Sequence, residues 1–547
     1  MKKQVLNAQI LSTGLSLAKM GGILLLFLAL SSSQPLKAQQ ADAKNYAETI
    51  NAIELKAHLQ VIASDSMQGR ETGTEGNWRA AQYIANQLEK WGLPKIGDKG
   101  TYFQRMVYTN EGWDNISLRI NEKGYRHQYS YYAFPFLNPS VKEKIEASEI
   151  VFLGYGIDTR RYSDYGKKDL KGKVIMILPG EPRNDDSTYV ISKSKEMSVW
   201  SKDIKTKLQR AYQTGVKAVL IIDPNFQDNV QEGRRYFNRS ITGDVELPDG
   251  KLANSIFISP ELAKEIIGKN AKEFARVREK CEAGKPRMMV IPCQMSLVMD
   301  KFFKQLMGNN IMAYIEGSDP VLKNEWVIIS AHYDHIGTRG TEINYGADDN
   351  GSGTSTLLEL TQALLEAKKA GQGSRRSMLC LFLTGEEKGL LGSKYYVTYP
   401  VFPLEKTVAN VNIDMVGRVD DKYQAMGNPN YIYVIGADKM SQDLHDINEA
   451  MNKKYTNLTL DYTYNDENDP NRYYYRSDHY NFAERGIPAI FYFNGTHDDY
   501  HRPTDTIEKI NFDKMAKIGK LAFFTAWELA NRDERIRITK GKFKQRP

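Results

Sequence analysis

Cysteine is scarce in this chain: Cys281, Cys293 and Cys380 are the only three among 547 residues. An odd, small count excludes a disulfide scaffold and leaves no cluster from which a thiolate metal site could be built. Cys281 and Cys293 are the only pair close in sequence. Cys380 sits in the apolar run Met378-Leu379-Cys380-Leu381-Phe382-Leu383, which predicts a buried free thiol. No block of lysine and arginine interleaved with aromatics occurs, so nucleic acid is not an expected partner. Internal repeats and low-complexity segments are lacking too. Past residue 38, no apolar run approaches the roughly 20 residues needed to span a bilayer. What remains, 41% hydrophobic and 26% charged residues, is the composition of a folded globular protein. Its length exceeds what one hydrophobic core usually serves, which predicts at least two domains.

The first 38 residues differ from the rest. A basic start, Met1-Lys2-Lys3, precedes the apolar run Ile23-Leu24-Leu25-Leu26-Phe27-Leu28-Ala29-Leu30 and a small, polar stretch ending at Ala38. This pattern predicts a secretory signal cleaved after Ala38, and hence an exported protein, periplasmic or extracellular, with no transmembrane segment once the signal is removed. Lys2, Lys3, Lys19 and Lys37 contribute four of the net +7, leaving about +3 on the remainder, the charge of an ordinary solvated surface.

Tyr46 to Leu59 and Asn77 to Trp91 have helical apolar periodicity, separated by the loop Ser64 to Thr74. Strand-like material follows through Tyr132. From Ser148 the character changes to short apolar runs ended by glycine and proline, such as Val174 to Gly180. Residues 148–297 read as an inserted domain of short strands and few helices. On this reading 39–147 and 298–547 are the two parts of one domain. In the latter, Trp326 to Ala331, Met378 to Thr384, Val408 to Ile413 and Ala489 to Phe493 alternate with helical patterns such as Ser355 to Ala367 and Phe512 to Asn531. The alternation predicts an α/β fold, a mostly parallel, mixed sheet sandwiched by helices. Ligands of such sheets collect at the carboxyl ends of the strands.

Imidazoles and carboxylates gather at those ends. His332 closes one apolar run, with Asp334 two positions on, a carboxylate suited to hold the second nitrogen of a ligating imidazole; His335 is a rival ligand. Asp348 and Asp349 lie in a glycine-rich turn before a helix. Glu386 and Glu387 directly follow the Met378 run, where adjacent side chains point apart, so one can bind metal while its neighbour addresses a water. Asp414 ends a further run. His497, His501 and Asp505 share the segment after Ala489 to Phe493. Imidazole and carboxylate donors without thiolate suit zinc in a catalytic site.

In this order the motifs resemble those of the co-catalytic dizinc aminopeptidases, which include bacterial leucyl aminopeptidases and, more distantly, glutamate carboxypeptidase II. The likeness extends to Gly69-Arg70-Glu71-Thr72-Gly73-Thr74 and to Ser477-Asp478-His479 before Arg485-Gly486-Ile487-Pro488. In the inserted segment, Gly154-Tyr155-Gly156 and Leu170-Lys171-Gly172-Lys173-Val174 resemble a β-rich protease-associated domain. The resemblance implies two zinc ions per chain. Asp349 would bridge them, with His332 and Asp414 on one ion and Glu387 and His501 on the other. Glu386 would be the general base and Tyr500 a donor to the tetrahedral intermediate. Asp334, His479 and Asp505 would support the site or meet substrate, and the Asp349–Asn350 bond would be cis. The implied activity is removal of N-terminal residues from peptide substrates. A carboxypeptidase or dipeptidase on the same dizinc scaffold, or a single-zinc glutaminyl cyclase, are the alternatives.

Overall fold

In the computed structural model the described residues are 43–166, 168–243 and 251–540. The leader, residues 1–38 with its cleavage point, lies outside them. No helix among the described residues is long and apolar enough to cross a membrane.

Strands in the C-terminal half run in the order Thr459–Asp461, Tyr431–Ile435, Ala489–Phe493, Thr407–Ile413, Trp326–His332, Ser377–Leu383 and Met289–Ile315. Trp326–His332 lies parallel to both its neighbours, and Thr407–Ile413 parallel to Ala489–Phe493. Antiparallel pairings flank this group: Met289–Ile315 against Ser377–Leu383, and Tyr431–Ile435 against Ala489–Phe493. The sheet is therefore mixed and mostly parallel at its centre, as the alternating pattern predicts. Each central strand is wholly buried because both of its faces are covered. Val327, Ile329 and Ala331 pack with Leu357 and Leu364 of helix Gly353–Lys369 and with Ile518 and Leu521 of helix Phe512–Asn531. Ile328, Leu379 and Leu381 point the other way, onto Tyr396, Val397 and Phe482.

Met289–Ile315, 27 residues long, joins this sheet to a second lobe. Its first half pairs with Lys142–Phe152, from which Val174–Ile177, Ala218–Ile222 and Asn254–Ile258 follow in parallel. Residues 148 and 297 both fall inside these strands. The lobe differs from the strand-rich segment the sequence suggests. Five helices accompany its strands among the described residues: Val199–Lys202, Ile204–Gln213, Phe226–Asn238, Pro260–Ile267 and Ala271–Glu282. Ile204–Gln213 agrees with the helical pattern of Lys205 to Gln213, whereas Ala271–Glu282 has a thin apolar stripe that periodicity does not reveal, burying only Phe274 and Cys281. The N-terminal helix differs too. It breaks before Asn51, whose Oδ1 accepts from the backbone N–H of Ile53 (2.9 Å) and Glu54 (3.1 Å) and so caps a new helix, Ala52–Ile62. All three cysteines are free and buried.

Candidate metal centre and active site

His332 is the last residue of its strand, Asp414 immediately follows Thr407–Ile413, and Glu386 and Glu387 come just after Ser377–Leu383. All four therefore meet at the carboxyl edge of the sheet. Asp349 reaches the same place from the turn before helix Gly353–Lys369, across an Asp349–Asn350 bond that is cis. His501 arrives from the loop after Ala489–Phe493 with a left-handed φ of 57°, a backbone state uncommon for non-glycine residues.

The donor atoms fall into two groups, His335, Asp349, Glu387 and His501 in one and His332, Glu386 and Asp414 in the other. Asp349 faces both. Its Oδ1 lies 3.5 Å from His332 Nε2, while its Oδ2 lies 3.0 Å from His501 Nε2 and 3.7 Å from His335 Nδ1. His332 Nε2 is also 3.3 Å from Asp414 Oδ1 and 3.9 Å from Glu386 Oε2. His501 Nε2 is 3.3 Å from Glu387 Oε1, which His335 Nδ1 approaches to 2.9 Å. Asp348 and His497 pair with each other instead, at 3.2 Å, and Asp348 Oδ1 accepts from Gly417 N–H.

Neighbouring groups fix the free atoms of this cluster. Nδ1 of His332 donates to the backbone carbonyl of Asp334 at 3.1 Å, closer than the Asp334 carboxylate at 3.6 Å. A carbonyl only accepts, so Nδ1 carries a proton, and in the neutral ring it is Nε2 whose lone pair faces Asp349 and Asp414. The Asp334 carboxylate instead accepts from Glu386 N–H (3.2 Å), Glu387 N–H (3.4 Å) and Thr72 Oγ1 (2.8 Å), and so positions the two glutamates. Asp505 does the same for the opposite loop, accepting from the N–H groups of Asp348 (3.0 Å) and Asp349 (3.2 Å). Ser477 Oγ donates to Asp414 Oδ2 at 2.6 Å, leaving Oδ1 to face His332.

The centre is rich in negative charge. Burial raises the Glu386 carboxyl well above its ordinary range, and Glu387 and Asp414 add to the shift against the opposing pull of His332. Burial by itself would depress His332 and His501. The carboxylates Asp414 and Glu386 hold the first well above its usual value, and Asp349 and Glu387 carry the second up to about 10. Nε2 of His332, His335 and His501 and Oδ1 of Asp414 are buried without hydrogen-bond partners. The His332 and His501 nitrogens that face carboxylate oxygens in this dry site share a cation with them, a proton where no metal is bound, and these donors fit zinc.

Glu386 and Asp414 open onto a pocket walled by Met415, Tyr473, Phe491 and Phe493, with Arg476 and Tyr500 in its lining. The Tyr500 ring stacks on His501 with centroids 3.9 Å apart, and its hydroxyl accepts from Arg476 Nη2 at 3.3 Å. Burial, reinforced by Asp349 and Glu387, raises the phenol and keeps it protonated. His479 stays outside the donor groups. It stacks on Phe491 at 4.8 Å, burial pushes its imidazole down to about 3, and it braces the pocket wall as a neutral ring.

Arg70 is a structural keystone that its residue type alone does not disclose; only the Gly69 to Thr74 motif points to it. Fully buried, it donates to the carbonyls of Tyr333 (2.8 Å), Ile62 (2.8 Å), Tyr345 (2.7 Å) and Gly346 (2.9 Å), tying the His332 loop to the Asp349 turn. Arg70→Met should cost about 3–5 kcal/mol of stability, because each acceptor stranded in a dry site loses about 1–3 kcal/mol and water recovers only part of the total. Urea unfolding measures this, and a loss below about 1 kcal/mol would contradict the assignment.

Fold and site together define the class: a mixed α/β sheet with histidine and carboxylate clusters at its strand ends. Residues 310–526 match Peptidase family M28. Over 231 residues the chain is 32% identical to a "Probable leucine aminopeptidase" of Trichophyton verrucosum (strain HKI 0517), an alignment taking in 41% of this chain and 58% of that protein. It is 28% identical over 225 residues to "Aminopeptidase YwaD" of Bacillus subtilis (strain 168), taking in 40% of this chain and 44% of that protein. The chain thus spans about half the length of these curated relatives. The solved aminopeptidase from Aneurinibacillus sp. strain AM-1 shares the fold, with a TM-score of 0.51 at 19% identity over 92% of this chain and 100% of that one.

Proposed function

We propose that this protein is an exported aminopeptidase that uses two zinc ions to remove N-terminal residues from peptides. The observation that carries the reading is Asp349, whose two oxygens face two separate donor groups while the histidine nitrogens opposite them lack hydrogen-bond partners. His332, Asp414 and one oxygen of Asp349 would hold one ion; Glu387, His501 and the other oxygen would hold the second. Zinc bound there supplies an acidified water and a polarised scissile carbonyl.

The protein's own groups do the rest. Glu386, at 3.9 Å the most distant of the three carboxylates around His332 Nε2, takes a proton from the attacking water and returns it to the leaving amine nitrogen. The Tyr500 oxygen accepts from Arg476, so its own O–H is free to donate to the developing oxyanion. Met415, Phe491 and Phe493 exclude water and receive an apolar side chain. The second lobe, which resembles a protease-associated domain in its glycine motifs, shapes access to this pocket.

Arg476 favours one second reading. A guanidinium in the pocket lining suits a substrate carboxylate, as a dipeptidase or carboxypeptidase requires. Zinc-loaded protein is expected to hold two ions per chain and to shorten peptides stepwise from the N-terminus. Release from the C-terminus, or cleavage confined to dipeptides, would select the Arg476 reading. One ion per chain with cyclisation of N-terminal glutamine would select a glutaminyl cyclase.

A further inference from the structure

His335 has no role in the five-ligand scheme, yet the fold aims it at the centre. Its side chain is buried, and its Nδ1 lies 2.9 Å from Glu387 Oε1 and 3.7 Å from Asp349 Oδ2. Those are the two oxygens that His501 Nε2 meets at 3.3 and 3.0 Å. Zinc bonds of about 2.0–2.2 Å in a tetrahedron place neighbouring ligand atoms about 3.4 Å apart. The four separations, 2.9, 3.0, 3.3 and 3.7 Å, straddle that value.

The remainder of the ring is provided for as well. Gly346 has a left-handed φ of 56°, and a Cβ at that position would lie 2.5 Å from Cγ and Cδ2 of His335, so the turn leaves room for an imidazole. Around His332 the match is poorer. Asp414 at 3.3 Å and Asp349 at 3.5 Å fit a shared ion, whereas Glu386 at 3.9 Å stands further off.

We infer that His335 is a sixth metal ligand, so that the ion on Asp349, Glu387 and His501 has four protein donors and its neighbour on His332, Asp349 and Asp414 has three. The inference rests on the dizinc reading above and makes the two sites unequal. The four-donor ion is closed to other ligands and held tightly. The three-donor ion, on the side of Glu386 and the pocket, keeps the open position that substrate requires. Protonation separates this role from the simpler one, in which Nδ1–H donates to Glu387 Oε1 at 2.9 Å and only orients it. A ligating Nδ1 carries no proton, so Nε2–H does, and the bound ring contributes one more imidazole N–H near a metal.

The test is a count of hyperfine-shifted, exchangeable imidazole N–H protons by NMR in the full chain loaded with two cobalt(II) ions. Three are expected, from His332, His335 and His501, and two in His335→Asn. The same substitution should weaken the tighter of two zinc-binding steps at least tenfold in a competition titration and leave the weaker step within threefold. Two protons in the wild-type protein, or a tight step unchanged in His335→Asn, would overturn the assignment. The wild-type count stands whether or not the variant folds. Failure of the wild-type chain to take up two metal ions would instead overturn the dizinc reading itself.

Discussion

Replacing Glu386 with glutamine should leave zinc content at two ions per chain and lower kcat about 10²–10⁴-fold, with little change in KM. The side chains are nearly isosteric, and the backbone N–H of Glu386 is held by Asp334 whichever one is present. Metal content should survive because Glu386 Oε2 lies 3.9 Å from His332 Nε2, outside the 3.3 and 3.5 Å at which Asp414 and Asp349 approach it. What glutamine removes is the capacity to accept a proton and return it, and general acid–base transfer of this kind is worth about 10²–10⁴ in rate. A change made only in the transition state lowers kcat and kcat/KM together. Elemental analysis and steady-state kinetics on the same sample read both halves of this expectation. Activity within tenfold of wild type would remove Glu386 from the role of base, and loss of zinc would make it a ligand.

Asp349→Ala should weaken both zinc-binding steps in a competition titration, where Asp414→Ala should weaken only one. The difference follows from the two oxygens of Asp349, one 3.5 Å from His332 and the other 3.0 Å from His501. Asp414 Oδ1 faces His332 alone among the histidines, and its Oδ2 is occupied by Ser477. The turn carrying Asp349 is fastened independently, through Asp505 and Arg70, so loss of its carboxylate should not unfold it. Wild-type protein should gain thermal stability on zinc addition and Asp349→Ala should gain less, since binding only the folded state stabilises it by mass action. Retention of one ion at wild-type affinity in Asp349→Ala would show that the carboxylate does not bridge.

Much of this architecture can be read from the chain. Strands Trp326–His332, Ser377–Leu383, Thr407–Ile413 and Ala489–Phe493 coincide with apolar runs, because a parallel strand buried on both faces leaves a continuous hydrophobic signature. Strand ends in turn locate His332, Glu386 and Asp414. Less is visible where the determinant is long-range. That Asp348 pairs with His497 while Asp349 joins the cluster depends on how a turn and a distant loop meet. His335 is one residue from Asp334 in sequence, yet it faces the opposite donor group from His332, which no local pattern conveys. The carboxylate of Asp334 holds the backbone of the two glutamates more closely than it holds the imidazole of His332, because the loops fold across it. Arg70 works entirely through backbone carbonyls, which carry no residue identity. Helix Ala271–Glu282 of the second lobe escapes notice because its buried face is narrow and its surface charged.

The central claim, an aminopeptidase dependent on zinc, is tested most directly by paired fluorogenic substrates. Aminoacyl coumarin amides and their N-acetylated counterparts are offered to the zinc-loaded protein, to the chelated protein and to the chelated protein resupplied with zinc. The account predicts hydrolysis of the free amines alone, lost on chelation and restored by zinc. Equal cleavage of the acetylated amides, or turnover that survives chelation, would contradict it.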